Sequence, residues 1–104
     1  METLKRFSGD EDAAQLQSKL SSANWHLTAS ALGRFVERFL ENELTPSQLE
    51  EIGDLLESEA VTYDDDDGSI AQVLFEMSSP EVNGPVNDLA AQRWLEILEP
   101  RKDA

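Results

Sequence analysis

Apolar side chains recur every three or four residues through most of the chain, and this spacing constrains the fold more than any other feature. Such a period places side chains on one stripe of an α-helix, whereas a half-buried strand alternates every two residues. The clearest stripe predicts a helix from about residue 28 to residue 42. Its members are Leu32, Phe35, Val36, Phe39 and Leu40.

The run Thr45-Pro46-Ser47-Gln48 predicts the start of the next helix. The Thr45 hydroxyl can accept a hydrogen bond from a free backbone N–H, Pro46 suits the first helical position, and Gln48 can reach back to the cap. Because only about three residues separate this helix from the preceding one, the two are expected to pack antiparallel as a hairpin. Its predicted core face is Leu49, Ile52, Leu55 and Leu56, and the acidic residues expected on the other side are Glu50, Glu51, Asp54 and Glu57.

Two more helices are predicted before and after this pair. The earlier one, from about residue 11 to 21, has Ala13, Leu16 and Leu20 at helical spacing. The later one follows Gly68, and Asp67 or Ser69 can cap it. Its predicted core face is Ile70, Val73, Leu74 and Met77.

The C-terminal part of the chain predicts a loop and a last helix. Residues Ser78 to Pro85 contain two prolines and an Asn-Gly pair, which are typical of a loop. The helix after it is expected to run from about residue 87 to Leu98 and to end at Pro100. The residues it is expected to bury are Leu89, Trp94, Leu95 and Leu98.

These elements predict an all-α fold, a compact bundle of about five short helices without a convincing strand. A chain of 104 residues builds a single core, so two independent domains are excluded. The predicted organisation is a flexible N-terminal arm over residues 1–10, one helical domain over residues 11–100 and a C-terminal tail over residues 101–104.

Charge and composition narrow the classes of function. The chain has 22 Asp and Glu residues, 8 Lys and Arg residues and a formal net charge of -14. This charge should repel nucleic acids and anionic membranes and attract basic proteins. The lack of cysteine excludes disulfides, and no signal segment or membrane span is recognisable, so a cytoplasmic protein is expected.

Residues that would carry catalysis or bind a cofactor are missing. The single histidine, His26, lies between two apolar residues without a catalytic motif, and the five glycines are too scattered for a phosphate-binding loop. If Gly68 is placed at position 6 of an EF-hand loop, Tyr63 falls at position 1 and Leu74 at position 12, where acids are required. The sequence therefore predicts neither an enzyme nor a cofactor or dedicated metal site, although weak cation binding by the four consecutive aspartates Asp64 to Asp67 stays open.

The excess negative charge is concentrated in the middle of the chain. Residues 37–81 have a net charge of -13, and no Lys or Arg lies between residues 39 and 92. Like charges one helical turn apart destabilise a helix, so such a patch indicates either simple solvation or a surface for a cationic protein, and the second is favoured. An aromatic beside charges is typical of an interface anchor. The predicted partner-binding residues are Glu50, Glu51, Asp54, Glu57, Glu59, Tyr63, Asp64, Asp65, Asp66 and Asp67.

One stretch adds a resemblance to a known group of proteins. An apolar helix, Ile70-Ala71-Gln72-Val73-Leu74-Phe75-Glu76-Met77, runs into Ser78-Ser79-Pro80-Glu81-Val82-Asn83-Gly84-Pro85 and then a final helix. With the acidic, cysteine-free helical plan, this stretch resembles small immunity proteins of bacterial contact-dependent growth inhibition and polymorphic-toxin systems. The resemblance implies a cytoplasmic inhibitor that binds a cognate toxin nuclease domain and covers its basic active site.

A second hypothesis is an acidic mimic of nucleic acid that inhibits a DNA-binding protein, as anti-restriction and anti-CRISPR proteins do. DNA presents a charge about every 3.4 Å along each strand, so a mimic should be acidic along most of its length. Residues 1–36 are neutral overall and residues 82–104 have a net charge of -1. This distribution favours a compact patch for one basic protein over a mimic.

Overall fold

The computed structural model describes residues 5–21, 25–58, 61–63 and 68–102. Most of them are helical, as the sequence predicts. The helices are α1 (Ala13–Leu20), α2 (Ala29–Leu40), α3 (Pro46–Leu56), α4 (Ser69–Ser78), α5 (Pro80–Asn83) and α6 (Asp88–Lys102).

The structure also contains a small parallel sheet, so the expectation of no strand is wrong. Its strands, in spatial order, are β1 (Lys5–Arg6), β2 (Trp25–His26) and β3 (Val61–Thr62). Lys5 lies opposite Trp25, which lies opposite Val61 on its other side. Strands of two residues are too short to show alternation, and parallel pairing joins segments distant in sequence, so no local pattern reveals them.

Side-chain caps mark the start of α2 and α3. At α3, the Thr45 hydroxyl accepts from Gln48 N at 3.1 Å, and Gln48 Oε1 accepts from Thr45 N at 2.8 Å, which confirms the predicted capping box. Thr28 caps α2 in a similar way, through Ala31 N. The cap of α4 differs from expectation, because Gly68 occupies the N-cap in the left-handed conformation and Ser69 is already helical and buried.

The core forms around two helix pairs, since α2 packs mainly against α6 and α3 mainly against α4. The expected contact between α2 and α3 is present but minor. The predicted core faces of α2, α3 and α4 are largely confirmed, although Leu40 and Leu55 are only half-buried. Trp94 of α6 is also buried, and its Nε1 donates to Glu76 Oε1 of α4 at 3.0 Å.

Three expectations for the C-terminal part need correction. Pro80 starts the one-turn helix α5 inside the predicted loop, because its fixed φ suits a first helical position. Pro100 does not end α6, which continues to Lys102. Leu89 is 78% exposed, because it lies off the buried stripe formed by Ala91, Trp94 and Leu98.

The described part of the predicted N-terminal arm, residues 5–10, packs onto the domain. It supplies β1, and Phe7 is only 4% exposed and stacks on Trp25, with 5.1 Å between ring centroids. At Gly9 the backbone has φ +92° and passes so close to α2 that an added Cβ would lie 2.4 Å from Arg34 Cβ. Only glycine fits such a position. Gly9 therefore allows the N-terminal segment to pack closely against α2.

Glu11 and Arg38 fasten this segment to the helices. The Glu11 carboxylate is 3% exposed and accepts from Ser8 N at 3.0 Å, Gly9 N at 2.9 Å and Lys19 Nζ at 2.5 Å. Arg38 Nη1 donates to the carbonyl oxygens of Gly9 at 3.0 Å and Glu11 at 2.8 Å. Two charged groups thus satisfy the backbone of a segment without regular structure.

Candidate acidic surface and neighbouring groove

The acidic side chains of α3 lie beside its core stripe. Leu49, Ile52, Gly53 and Leu56 are buried, so they define the inner side of the helix. Glu51 and Asp54 are exposed, and Glu50 is half-buried at the edge of the core stripe. The structure therefore brings these three predicted partner-binding carboxylates together on one helix, with two of them exposed.

Glu57 differs from the other three because it already has a partner. It is the C-cap of α3, and its carboxylate accepts a hydrogen bond from the Ser78 hydroxyl at the end of α4. Its side chain is exposed, so it remains accessible at the end of the acidic row. Its bond to Ser78 indicates that Glu57 also holds the ends of α3 and α4 together.

Four of the described basic residues are paired with carboxylates outside α3. The ion pairs of the described residues are Lys19–Glu11, Arg34–Asp10, Arg34–Glu41, Arg38–Glu43 and Arg93–Glu76. None of these pairs includes Glu50, Glu51 or Asp54. The carboxylates of Glu50, Glu51 and Asp54 are thus not neutralised by any of these ion pairs.

The other predicted contact residues fall in two groups. Tyr63 follows β3 and is half-buried against the core, so its side chain is partly accessible. Glu59, Asp64, Asp65, Asp66 and Asp67 lie outside the described residues. Their part in a partner surface stays a prediction.

An open groove of about 690 Å³ lies next to the start of α3. Its lining residues are Phe39, Asn42, Leu44, Thr45, Pro46, Val86, Asn87, Asp88 and Leu89. Sequence reasoning missed it because Leu89 was assigned to the core. A stricter count of helical spacing places Leu89 outside the core stripe, since it is five residues from Trp94 and so falls on another side of α6.

The described residues contain neither a cluster of metal-ligating side chains nor a helix able to span a membrane. No three His, Asp or Glu side chains among them are close enough to hold a metal ion. His26 lies in β2, with Nδ1 3.2 Å from Thr62 Oγ1. None of the described helices has the length and apolar composition required to cross a membrane.

Comparison with known proteins gives no match from which a function could be inferred. No protein-family model, curated protein or solved structure matches the chain. The features that can suggest a function are therefore the acidic surface of α3 and the groove at its N-terminal end.

Proposed function

We propose that this protein is an immunity protein that binds a cognate bacterial toxin, a nuclease domain, through the acidic surface of α3 and so neutralises it. The observation that carries the proposal is the row of Glu50, Glu51 and Asp54, which no ion pair of the described residues balances. The resemblance of residues 70–98 to immunity proteins of contact-dependent growth inhibition points the same way.

Electrostatics explains why such a surface suits a nuclease. An enzyme that cleaves RNA or DNA needs a basic site to bind phosphates, and the same site attracts a concentrated patch of carboxylates. The attraction speeds the encounter, and carboxylates that reach Arg or Lys form charge-assisted hydrogen bonds. An inhibitor seated there excludes the nucleic acid without performing any chemistry.

The rigidity of α3 supports the same role. Both ends of the helix are fixed, by the Thr45 capping box and by the Glu57–Ser78 hydrogen bond, and its inner side is fully packed. Binding through such a helix requires ordering of the carboxylate side chains but not of the backbone that carries them. Like-charge repulsion along the row is a stability cost that binding to a cationic surface relieves.

The test begins with the neighbouring genes. We expect a large toxin gene immediately upstream, and the C-terminal domain that it encodes serves as the binding probe. Expression of that domain alone should stop bacterial growth, and co-expression of this protein should restore it. The proposal is contradicted if no such gene is present or if growth is not restored.

Two double variants with equal charge change test the surface. Glu51→Lys/Asp54→Lys reverses two exposed residues of α3, whereas Glu81→Lys/Glu96→Lys reverses two exposed residues elsewhere. The α3 variant should lower the association rate constant for the toxin domain at least about ten-fold at low salt, and the control far less. Equal effects would show that general charge, not α3, determines binding. Competition with DNA on unrelated DNA-processing enzymes would instead indicate a nucleic-acid mimic.

A further inference from the structure

The groove beside α3 lies where the end of α2, the turn into α3 and the start of α6 meet. Phe39, Leu44 and Val86 are themselves buried and form its apolar floor. Its volume of about 690 Å³ is within the range of about 300–1,000 Å³ that is usual for ligand sites. It has room for a side chain from a partner.

Leu89 projects beside this floor without belonging to the core. It lies in the first turn of α6 and is 78% exposed, whereas Trp94 on the same helix is 2% exposed. Asn87 caps this turn by accepting from Ala90 N at 2.9 Å, so the backbone that carries Leu89 is fixed. Leu89 therefore extends the apolar floor of Phe39, Leu44 and Val86 into one continuous apolar surface that a partner can cover.

The charges around the groove indicate which residues of a partner would flank an apolar side chain placed in it. Asp88 is charged, and the nine residues that line the groove include no lysine or arginine. Pro46 lines the groove at the start of α3, and Glu50 and Asp54 follow it at intervals of four residues along the same side of the helix. A partner segment that places a side chain in the groove therefore lies near the carboxylates of Glu50 and Asp54.

We propose that the groove receives one apolar side chain of the partner, flanked by lysine or arginine residues that contact Glu50 and Asp54. This inference rests on the proposed function and specifies the segment by which the partner is recognised. A second copy of this chain is the less suitable occupant, because two molecules each with a net charge of -14 repel each other. A basic segment with an apolar anchor complements both the floor and the surrounding charge.

Two short peptides serve as probes that need no knowledge of the partner. One has a central leucine between three lysines on each side, and the other has glycine in place of the leucine. Titration of the ¹⁵N-labelled protein, followed by NMR chemical shifts, measures both affinities. The leucine peptide should bind about five- to ten-fold more tightly, since part of one apolar side chain is buried. Its additional shifts should fall on residues 39–46 and 86–89.

A matched pair of variants separates apolar contact from charge. Leu89→Asp removes the apolar side chain but adds a negative charge, which attracts lysine and suits a helix N-terminus. Val82→Asp makes the same kind of change at a residue that is 72% exposed and does not line the groove. Leu89→Asp should abolish the preference for the leucine peptide, and Val82→Asp should preserve it. Thermal unfolding verifies that both variants remain folded.

The possible results distinguish this inference from the proposed function. If the two peptides bind equally well and Glu51→Lys/Asp54→Lys weakens both, the groove inference is wrong and the acidic surface remains. If that double variant lowers the affinity for neither peptide, the assignment of the acidic surface as the binding site is also wrong. A concentration-dependent dimer in sedimentation that Leu89→Asp disrupts would overturn the assignment by giving the groove to a second copy.

Discussion

Replacement of Glu11 by glutamine tests how the N-terminal segment is held. The carboxylate accepts from two backbone N–H groups and from Lys19, and only 3% of its surface is exposed. Glutamine has nearly the same shape but a single acceptor oxygen, and its NH₂ group would face donors. At least one buried N–H would lose its partner, and the bond to the Lys19 ammonium would lose its charge.

The expected cost follows from these losses. A buried donor without a partner costs about 1–3 kcal/mol, and hydrogen bonds to a charged group contribute about 1.5–3 kcal/mol. Lys19 is 32% exposed, so water can replace part of its interaction. We expect Glu11→Gln to lower the free energy of unfolding by about 2–3 kcal/mol, which corresponds to a Tm lower by roughly 10–20 °C in a domain of this size.

The pH dependence of this difference is a further test. Burial raises the pKa of Glu11, but the hydrogen bonds from Lys19, Ser8 and Gly9 outweigh it and hold the pKa below its ordinary value of 4.5. A carboxyl whose pKa is lower in the folded state stabilises the protein above the unfolded-state pKa. This stabilisation is lost as the pH falls through the folded-state pKa. The gap between wild type and Glu11→Gln should therefore be constant near neutral pH and narrow below about pH 4.5.

Urea unfolding followed by tryptophan fluorescence at several pH values measures both effects. Glu51→Gln is the control, because it removes an exposed carboxylate without a described ion-pair partner and should change stability by less than about 0.5 kcal/mol. If Glu11→Gln is as stable as this control at pH 7, or if its deficit grows on acidification, the assigned role of Glu11 is refuted.

Two further predictions concern a close backbone approach at Gly9 and the Thr45 cap of α3. Gly9→Ala should destabilise the fold by more than about 3 kcal/mol, since its Cβ would overlap Arg34 and Ala31 O, whereas Gly68→Ala, also at positive φ but with nothing within 4 Å, should cost about 1–2 kcal/mol. Equal chemical-denaturation midpoints for the two variants would show that the close approach at Gly9 does not matter. Thr45→Ala should lower the free energy of unfolding by about 1 kcal/mol, because the α3 cap is lost. Thr45→Ser retains the hydroxyl and should keep most of this stability. If Thr45→Ala has the same Tm as wild type, the cap contributes nothing to stability.

The parts of the fold that sequence predicts are those with local causes. The start of α3 follows from three neighbouring residues, Thr45, Pro46 and Gln48, whose side-chain chemistry is complete within one turn. The core faces of α2 and α4 follow from spacing alone, since a 3.6-residue period needs no knowledge of the partner helix. The same reasoning placed Glu51 and Asp54 on the outer side of α3.

The parts that sequence reasoning missed depend on distant residues. The pairing of β1, β2 and β3 joins residues near positions 5, 25 and 61, which no local window contains. The burial of Glu11 depends on Lys19 and on the backbone of residues 8 and 9, although an acidic side chain alone predicts exposure. The groove likewise requires the end of α2 and the start of α6 to meet.

The pairing of α2 with α6 has a consequence for synthesis of the protein. Helix α2 is complete once residue 40 has been made, but its main partner begins only at Asp88. Until then, Phe35, Phe39 and neighbouring apolar side chains lack the helix that covers them, and the native core cannot close. A ribosome at about 5–20 residues per second needs several seconds to make the intervening residues. We therefore expect native folding to finish only after residues 88–102 have left the ribosome, and nascent chains that end before Asp88 to be bound by chaperones or degraded.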